Sequence, residues 1–141
     1  MDAIAFLRQE HSKVRKMLHA ISKTSNEKTK IKLFTALTKD LTRHEKMEET
    51  VWYPVLRKDK DMRDIIKHLV AEEKSASKAI AKLKATDFGI MWRLRFYKFK
   101  HDVDHHAKSE EKELFPKARK FLTKTQLNEL GVKMRKFKGK A

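Results

Sequence analysis

The stretch His44-Glu45-Lys46-Met47-Glu48-Glu49-Thr50-Val51-Trp52-Tyr53-Pro54 returns 62 positions later as His106-Ala107-Lys108-Ser109-Glu110-Glu111-Lys112-Glu113-Leu114-Phe115-Pro116. Each copy sets an imidazole, a carboxylate four residues on, and an aromatic-proline pair. The same offset runs upstream: His11 matches Glu73, Glu10 matches Glu72, Leu7 matches Leu69, Leu18 matches Ile80 and Ile21 matches Leu83. Core positions and ligating side chains recur together, which reads as an internal duplication. Its period exceeds that of solenoid repeats and suits two helical hairpins closing on one buried metal site.

Working outward, apolar spacing predicts a first helix from Asp2, its N-cap, to about Lys23, with Phe6, Leu7, Val14, Leu18 and Ile21 on one face. Thr24-Ser25-Asn26 breaks it. A second helix begins near Glu27 and carries Ile31, Phe34, Leu37, Leu41 and Val51 inward until Pro54 ends or kinks it. The third starts after Asp61 and buries Ile65, Leu69, Ala76, Ile80 and Leu83. The fourth runs through Leu94, Phe99 and Val103 to about Leu122, interrupted near Pro116. Thr123-x-x-Gln126 is a capping-box pattern that announces a short fifth helix with Leu127, Leu130, Met134 and Phe137. Short connections give an all-α, up-down-up-down four-helix bundle over residues 1–122, followed by an amphipathic helix and basic tail over residues 123–141. At 1.5 Å of rise per residue, His11 and His44 lie within about 6 Å of one height, so the site closes at mid-bundle.

The chain has 141 residues and no Cys, which excludes disulfides, thiolate metal sites and cysteine nucleophiles. Any metal is held by nitrogen and oxygen, which points to iron, manganese or zinc. No 18 apolar residues run together, and the N-terminus lacks the pattern of a signal peptide, so a soluble cytoplasmic protein is expected. Gly-rich phosphate loops, Ser/His/Asp sets and zinc-finger spacings are absent. The net charge is +16, and four carboxylates facing a metal would leave the outer surface more positive still. Such a surface attracts nucleic acid, anionic lipid or acidic proteins, or is simply solvated.

A His and a Glu four apart on a helix are neighbours on one face, a geometry shared by metal clamps and ordinary ion pairs. Duplication of His44–Glu48 as His106–Glu110, each with its proline six residues after the Glu, favours the clamp. His101 is a candidate supplementary ligand. His105 is turned about 100° from the seam and flanks it, while His19 and His68 lie more than a turn away and read as surface residues. Trp52, Tyr53, Trp92, Phe96, Tyr97 and Phe115 are read as packing around the site, with Tyr53 and Tyr97 as the hydroxyls available to a bound oxygen species.

His11 with the two H-x-x-x-E-E…[FY]-P runs resembles the hemerythrin-like cation-binding family over about residues 1–120. The resemblance implies a four-helix bundle holding two bridged irons, with His11, His44, Glu48, His106 and Glu110 as ligands and Glu48 and Glu110 as bridges. The chain departs from the family where a third-helix His is expected; Glu73 stands there. Glu45 also resembles a position that supplies a ligand in a carboxylate-richer subset of the family. Three imidazoles against up to four carboxylates favour ferric iron. The expectation is therefore a di-iron protein that senses or consumes O2 or another small oxidant, or responds to iron, with at most modest turnover as an enzyme. A reversible oxygen carrier is the alternative within the family, and a metal-free basic adaptor for nucleic acid or anionic membrane the alternative outside it. A ferritin-like oxidase fits less well, since its signature Glu-x-x-His reverses the order seen here. The expected assembly is a monomer or weak homodimer.

Overall fold

Residues 1–140 are described by a computed structural model, and they form seven α-helices and no strand. These are α1 Ala3–Lys23, α2 Glu27–Met47, α3 Tyr53–Leu56, α4 Lys60–Lys84, α5 Ile90–Ser109, α6 Phe115–Phe121 and α7 Lys124–Lys140. The last residue of the expected basic tail, Ala141, lies outside the described residues. Side-chain caps start the helices where the sequence places them. Asp2 accepts from the Ala5 N–H at 2.8 Å, and Asn26 from the Thr29 N–H at 3.0 Å. Thr123 and Gln126 cap each other reciprocally, at 2.8 and 3.1 Å.

α1 pairs with α2 and α4 with α5 in an up-down-up-down bundle, and α7 lies against α1. The second and fourth long helices do not run straight to their prolines. Both open into π-helical turns, Glu48–Trp52 and Glu110–Leu114, in which the Tyr53 and Phe115 N–H groups donate to the Glu48 and Glu110 carbonyls. Pro54 and Pro116 follow at once. A proline has no N–H to donate and its ring crowds the carbonyl four residues back; widening the turn by one residue relieves both. The widened turns begin on the repeated Glu residues.

The apolar core falls into two clusters. One gathers Ile4, Leu7, Trp52, Leu56, Leu69 and Phe115 with Leu127, Leu130 and Met134 of α7. The other, at the opposite end, holds Leu18, Ile21, Phe34, Leu37, Trp92, Phe96 and Phe99. Burial of each such side chain contributes about 1.5–3 kcal/mol. α7 is drawn tight by Gly131, where a Cβ would meet the Met1 carbonyl oxygen at 2.5 Å. Ile31 and Leu94, expected inside, are 46 % and 61 % exposed, and Ile66 rather than Ile65 is fully buried. In α5 the bulky Trp92, Phe96 and Phe99 take the inner face and turn Leu94 and Tyr97 outward. No described helix is long and apolar enough to cross a membrane.

Candidate metal centre

Between the two apolar clusters lies a buried polar layer. It contains Glu10, His11, His44, Glu48, Glu73 and Glu110, each less than a tenth exposed, with His106 beside them. The layer resolves into two groups whose ligand atoms lie within 4.8 Å of one another: His11, His44 and Glu110; and Glu48, Glu73 and His106. The 62-residue offset converts one group into the other. His11 Nε2 is 2.9 Å from Glu110 Oε1, and His106 Nε2 is 3.4 Å from Glu73 Oε2. Glu48 Oε1 is 3.1 Å from His44 Nε2, so a carboxylate of the second group also touches the first.

These donors suit a cation and little else. Both oxygens of Glu48, both of Glu110 and Oε1 of Glu73 are buried without a hydrogen-bond partner among the described residues. Glu110 Oε1 lies beside His11 Nε2, and Glu48 Oε1 beside His44 Nε2, yet neither oxygen makes a hydrogen bond. Leaving one carboxylate buried and unpaired costs several kcal/mol, and three together call for compensation of the kind a bound cation would supply. Burial, and then the facing Glu110 carboxylate, pushes the Glu48 carboxyl well above its usual range, so without metal the pair holds one proton.

Outer carboxylates hold the imidazoles. His11 Nδ1 donates to Glu111 Oε2 at 2.8 Å, and His106 Nδ1 donates to Glu72 Oε1 at 3.0 Å. An ionised carboxylate only accepts, so Nδ1 carries the proton and Nε2 faces the centre. His44 Nδ1 lies farther, at 3.8 Å, from Glu10 Oε1. Glu10 and Glu111, each with cationic side chains beside it, are held acidic. Burial would raise Glu10, but His44, Arg43 and Lys138 of α7 keep it at about 2. The His11 hydrogen bond, with the Arg15 fork, keeps Glu111 at about 2. Burial would lower His106, yet Glu73, Glu110 and Glu72 raise it to about 9 without metal.

Tyr53, fully buried, donates its hydroxyl to Glu73 Oε2 at 2.7 Å. Tyr97, the other hydroxyl singled out in the sequence, is 73 % exposed and far from this role; Trp92 and Phe96 pack in the distant cluster. Glu45 stands outside both ligand groups. It lines a cleft that also reaches His44, Glu73 and His106, and its nearest partner is the Ser77 hydroxyl at 3.5 Å. Burial, then the Glu73 charge, raises Glu45 to about 8. His101 is exposed in a groove between α1 and α5, away from both groups. The sequence reading missed the outer roles of Glu10, Glu72 and Glu111, although all three obey the repeat.

The family model of the hemerythrin HHE cation binding domain matches residues 2–118. No curated protein matches the chain.

Proposed function

The chain belongs to the hemerythrin HHE cation-binding family, and from its donor set we propose a centre of two iron ions that senses or consumes a small oxidant, or responds to iron, rather than carrying oxygen reversibly. In this reading Glu48 and Glu110 bridge, His11 and His44 complete one site, and Glu73 and His106 complete the other. The observation that carries it is Glu73, a hard anionic oxygen donor placed where the first half of the repeat has the imidazole of His11. Hard oxygens favour the ferric state and resist its return to ferrous. When bound, iron would supply electron transfer to dioxygen or a peroxide.

The protein's own residues have separable tasks. Glu111 and Glu72 fix the His11 and His106 rings. Tyr53 holds Glu73 Oε2, which leaves Oε1 as the free inward donor. Glu45 holds a proton on the cleft wall near neutral pH. The test is iron content and visible absorption of protein loaded anaerobically with ferrous iron, then exposed to air, then deoxygenated. About two irons per chain with a ferric absorption that stays after deoxygenation is the expected result. Bleaching on deoxygenation would make the protein a carrier, and zinc or manganese retained in preference to iron would change the chemistry altogether.

A further inference from the structure

The two halves of the bundle differ most in what covers the metal layer. On the second half a cleft of about 400 Å³ opens between α2, α4 and α5, and His44, Glu73 and His106 lie along it. The equivalent space on the first half, which the offset places beside Glu10, Lys13, Val14, Asp40, Arg43 and His44, is closed and has no room for a water molecule. The offset shows why. Lys13, Val14, Arg15 and Met17 of α1 correspond to Ser75, Ala76, Ser77 and Ala79 of α4. Lys13 closes the first half with an ion pair to Asp40 at 3.0 Å, and Arg43 with one to Glu10 at 3.0 Å. Asp102, the counterpart of Asp40, faces a serine where Lys13 would be and pairs with Lys98 of its own helix instead, at 2.9 Å. Lys13 and Val14, which close the first half, have the smaller Ser75 and Ala76 as their counterparts in α4.

We propose that this cleft binds an organic molecule with an apolar body and one oxygen head group, of the size of an aryl or short alkyl hydroperoxide, and presents its head to the Glu73–His106 half. Leu41, Ala76, Ala79, Phe99 and Val103 form apolar walls, and the polar groups concentrate at the inner end and the rim. Glu73 at the inner end is buried and keeps Oε1 without a partner. Dioxygen or hydrogen peroxide would fill a small part of the volume, which falls within the range of about 300–1,000 Å³ typical of small-molecule pockets. Hydrogen peroxide gains nothing from an apolar wall and dioxygen, though apolar, buries little surface on it, whereas a hydrocarbon body gains in proportion to the area it buries. The inference deepens the oxidant-handling reading by naming the substrate class, while the binding itself needs no iron.

The experiment uses the full, metal-free chain and a redox-inert probe, the alcohol of cumene hydroperoxide, followed by amide and methyl NMR shifts. Saturable shifts centred on Ala76, Ala79, Phe99 and Val103 are expected, and Ala76→Leu/Ala79→Leu, which fills the cleft, should weaken binding by at least about ten-fold. A single Ala79→Leu variant guards against a misfolded double variant and should weaken binding less. Shifts scattered over the surface, an absence of saturation, or unchanged affinity in the filled variants would overturn the assignment. Probe binding to a chain that retains no iron would leave the cleft standing and remove the proposed redox function.

Discussion

The two ligand groups began as copies and have diverged at linked positions. In the first, His11 stacks on Phe115, with ring centroids 6.0 Å apart and planes 4° from parallel, and gives its Nδ1 proton to Glu111. In the second, Glu73 replaces the imidazole, Tyr53 replaces Phe115 and bonds the new carboxylate, and Glu49, the counterpart of Glu111, is exposed. The inner donor dictates its surroundings. An imidazole needs an acceptor for its outer N–H and tolerates a phenyl face. A carboxylate has no N–H to give, so Glu49 has nothing to accept, and its spare oxygen calls for a donor such as a phenol.

The largest break in this comparison comes from the shared carboxylates. Glu110→Ala should empty both halves, whereas Glu73→Ala should spare the iron held by His11 and His44; metal analysis distinguishes them. Retention of both irons by Glu110→Ala would rule out its bridging role. In the metal-free protein the same substitution removes the carboxylate 2.9 Å from His11 Nε2 and should destabilise the fold by about 3–5 kcal/mol, the cost of breaking a buried pair from one side. Thermal unfolding reads that difference.

Protons sharpen the contrast between empty and loaded centres. Glu45 rises to about 8, Glu48 rises well above 4.5, and His106 rises to about 9 from 6.5. A raised folded-state value means that the native protein binds more protons than the unfolded chain across that window. Stability from these groups is therefore present at mildly acidic pH and lost as pH rises from about 4.5 toward about 9. Glu10 and Glu111, held at about 2, act oppositely and cost stability only as pH falls below 4.5. The metal-free melting temperature should peak in mild acid and decline toward pH 9. Metal competes with the same protons, so the stabilisation on loading should grow over that interval. A flat metal-free profile would contradict the burial of these groups.

Much of this arrangement was legible in the chain because a 62-residue repeat marks core and ligand positions alike. The bundle, the helix order, the capping box and the gathering of His11, His44, Glu48, Glu73, His106 and Glu110 all follow from spacing and periodicity. Periodicity failed where two apolar faces share one helix: α5 carries Trp92 and Phe96 on one side and Leu94 and Tyr97 on the other, and spacing alone does not say which is buried. The π turns were visible only as prolines, since a one-residue widening leaves no residue signature of its own. The outer carboxylates were present as repeat matches, but their task depends on which ring nitrogen faces out.

Tyr53→Phe isolates the second half. It leaves Glu73 Oε2 buried without its donor, a loss of about 1–3 kcal/mol that should appear in the stability of the metal-free protein. With metal bound the same variant should weaken retention in the second half and leave the first unaffected. Equal losses in both halves would show that the hydroxyl acts on the bundle as a whole.

The smallest expected effects test the linkage itself. Glu111→Gln should weaken metal binding in the first half by about 10–100-fold, the usual consequence of losing the partner of a ligating imidazole. Glu49→Gln, its counterpart, should change nothing, because Glu49 is exposed and makes no hydrogen bond or ion pair among the described residues. The silence should end in a Glu73→His/Tyr53→Phe background, which rebuilds the His11–Phe115 arrangement on the other side. There the new imidazole has an outer N–H, Glu49 regains a proton to accept, and Glu49→Gln should cost affinity toward the range seen for Glu111→Gln. Glu49→Gln remaining silent there would mean that the two halves drifted independently, and that the exposed carboxylate is a residue of the duplication with no latent partner.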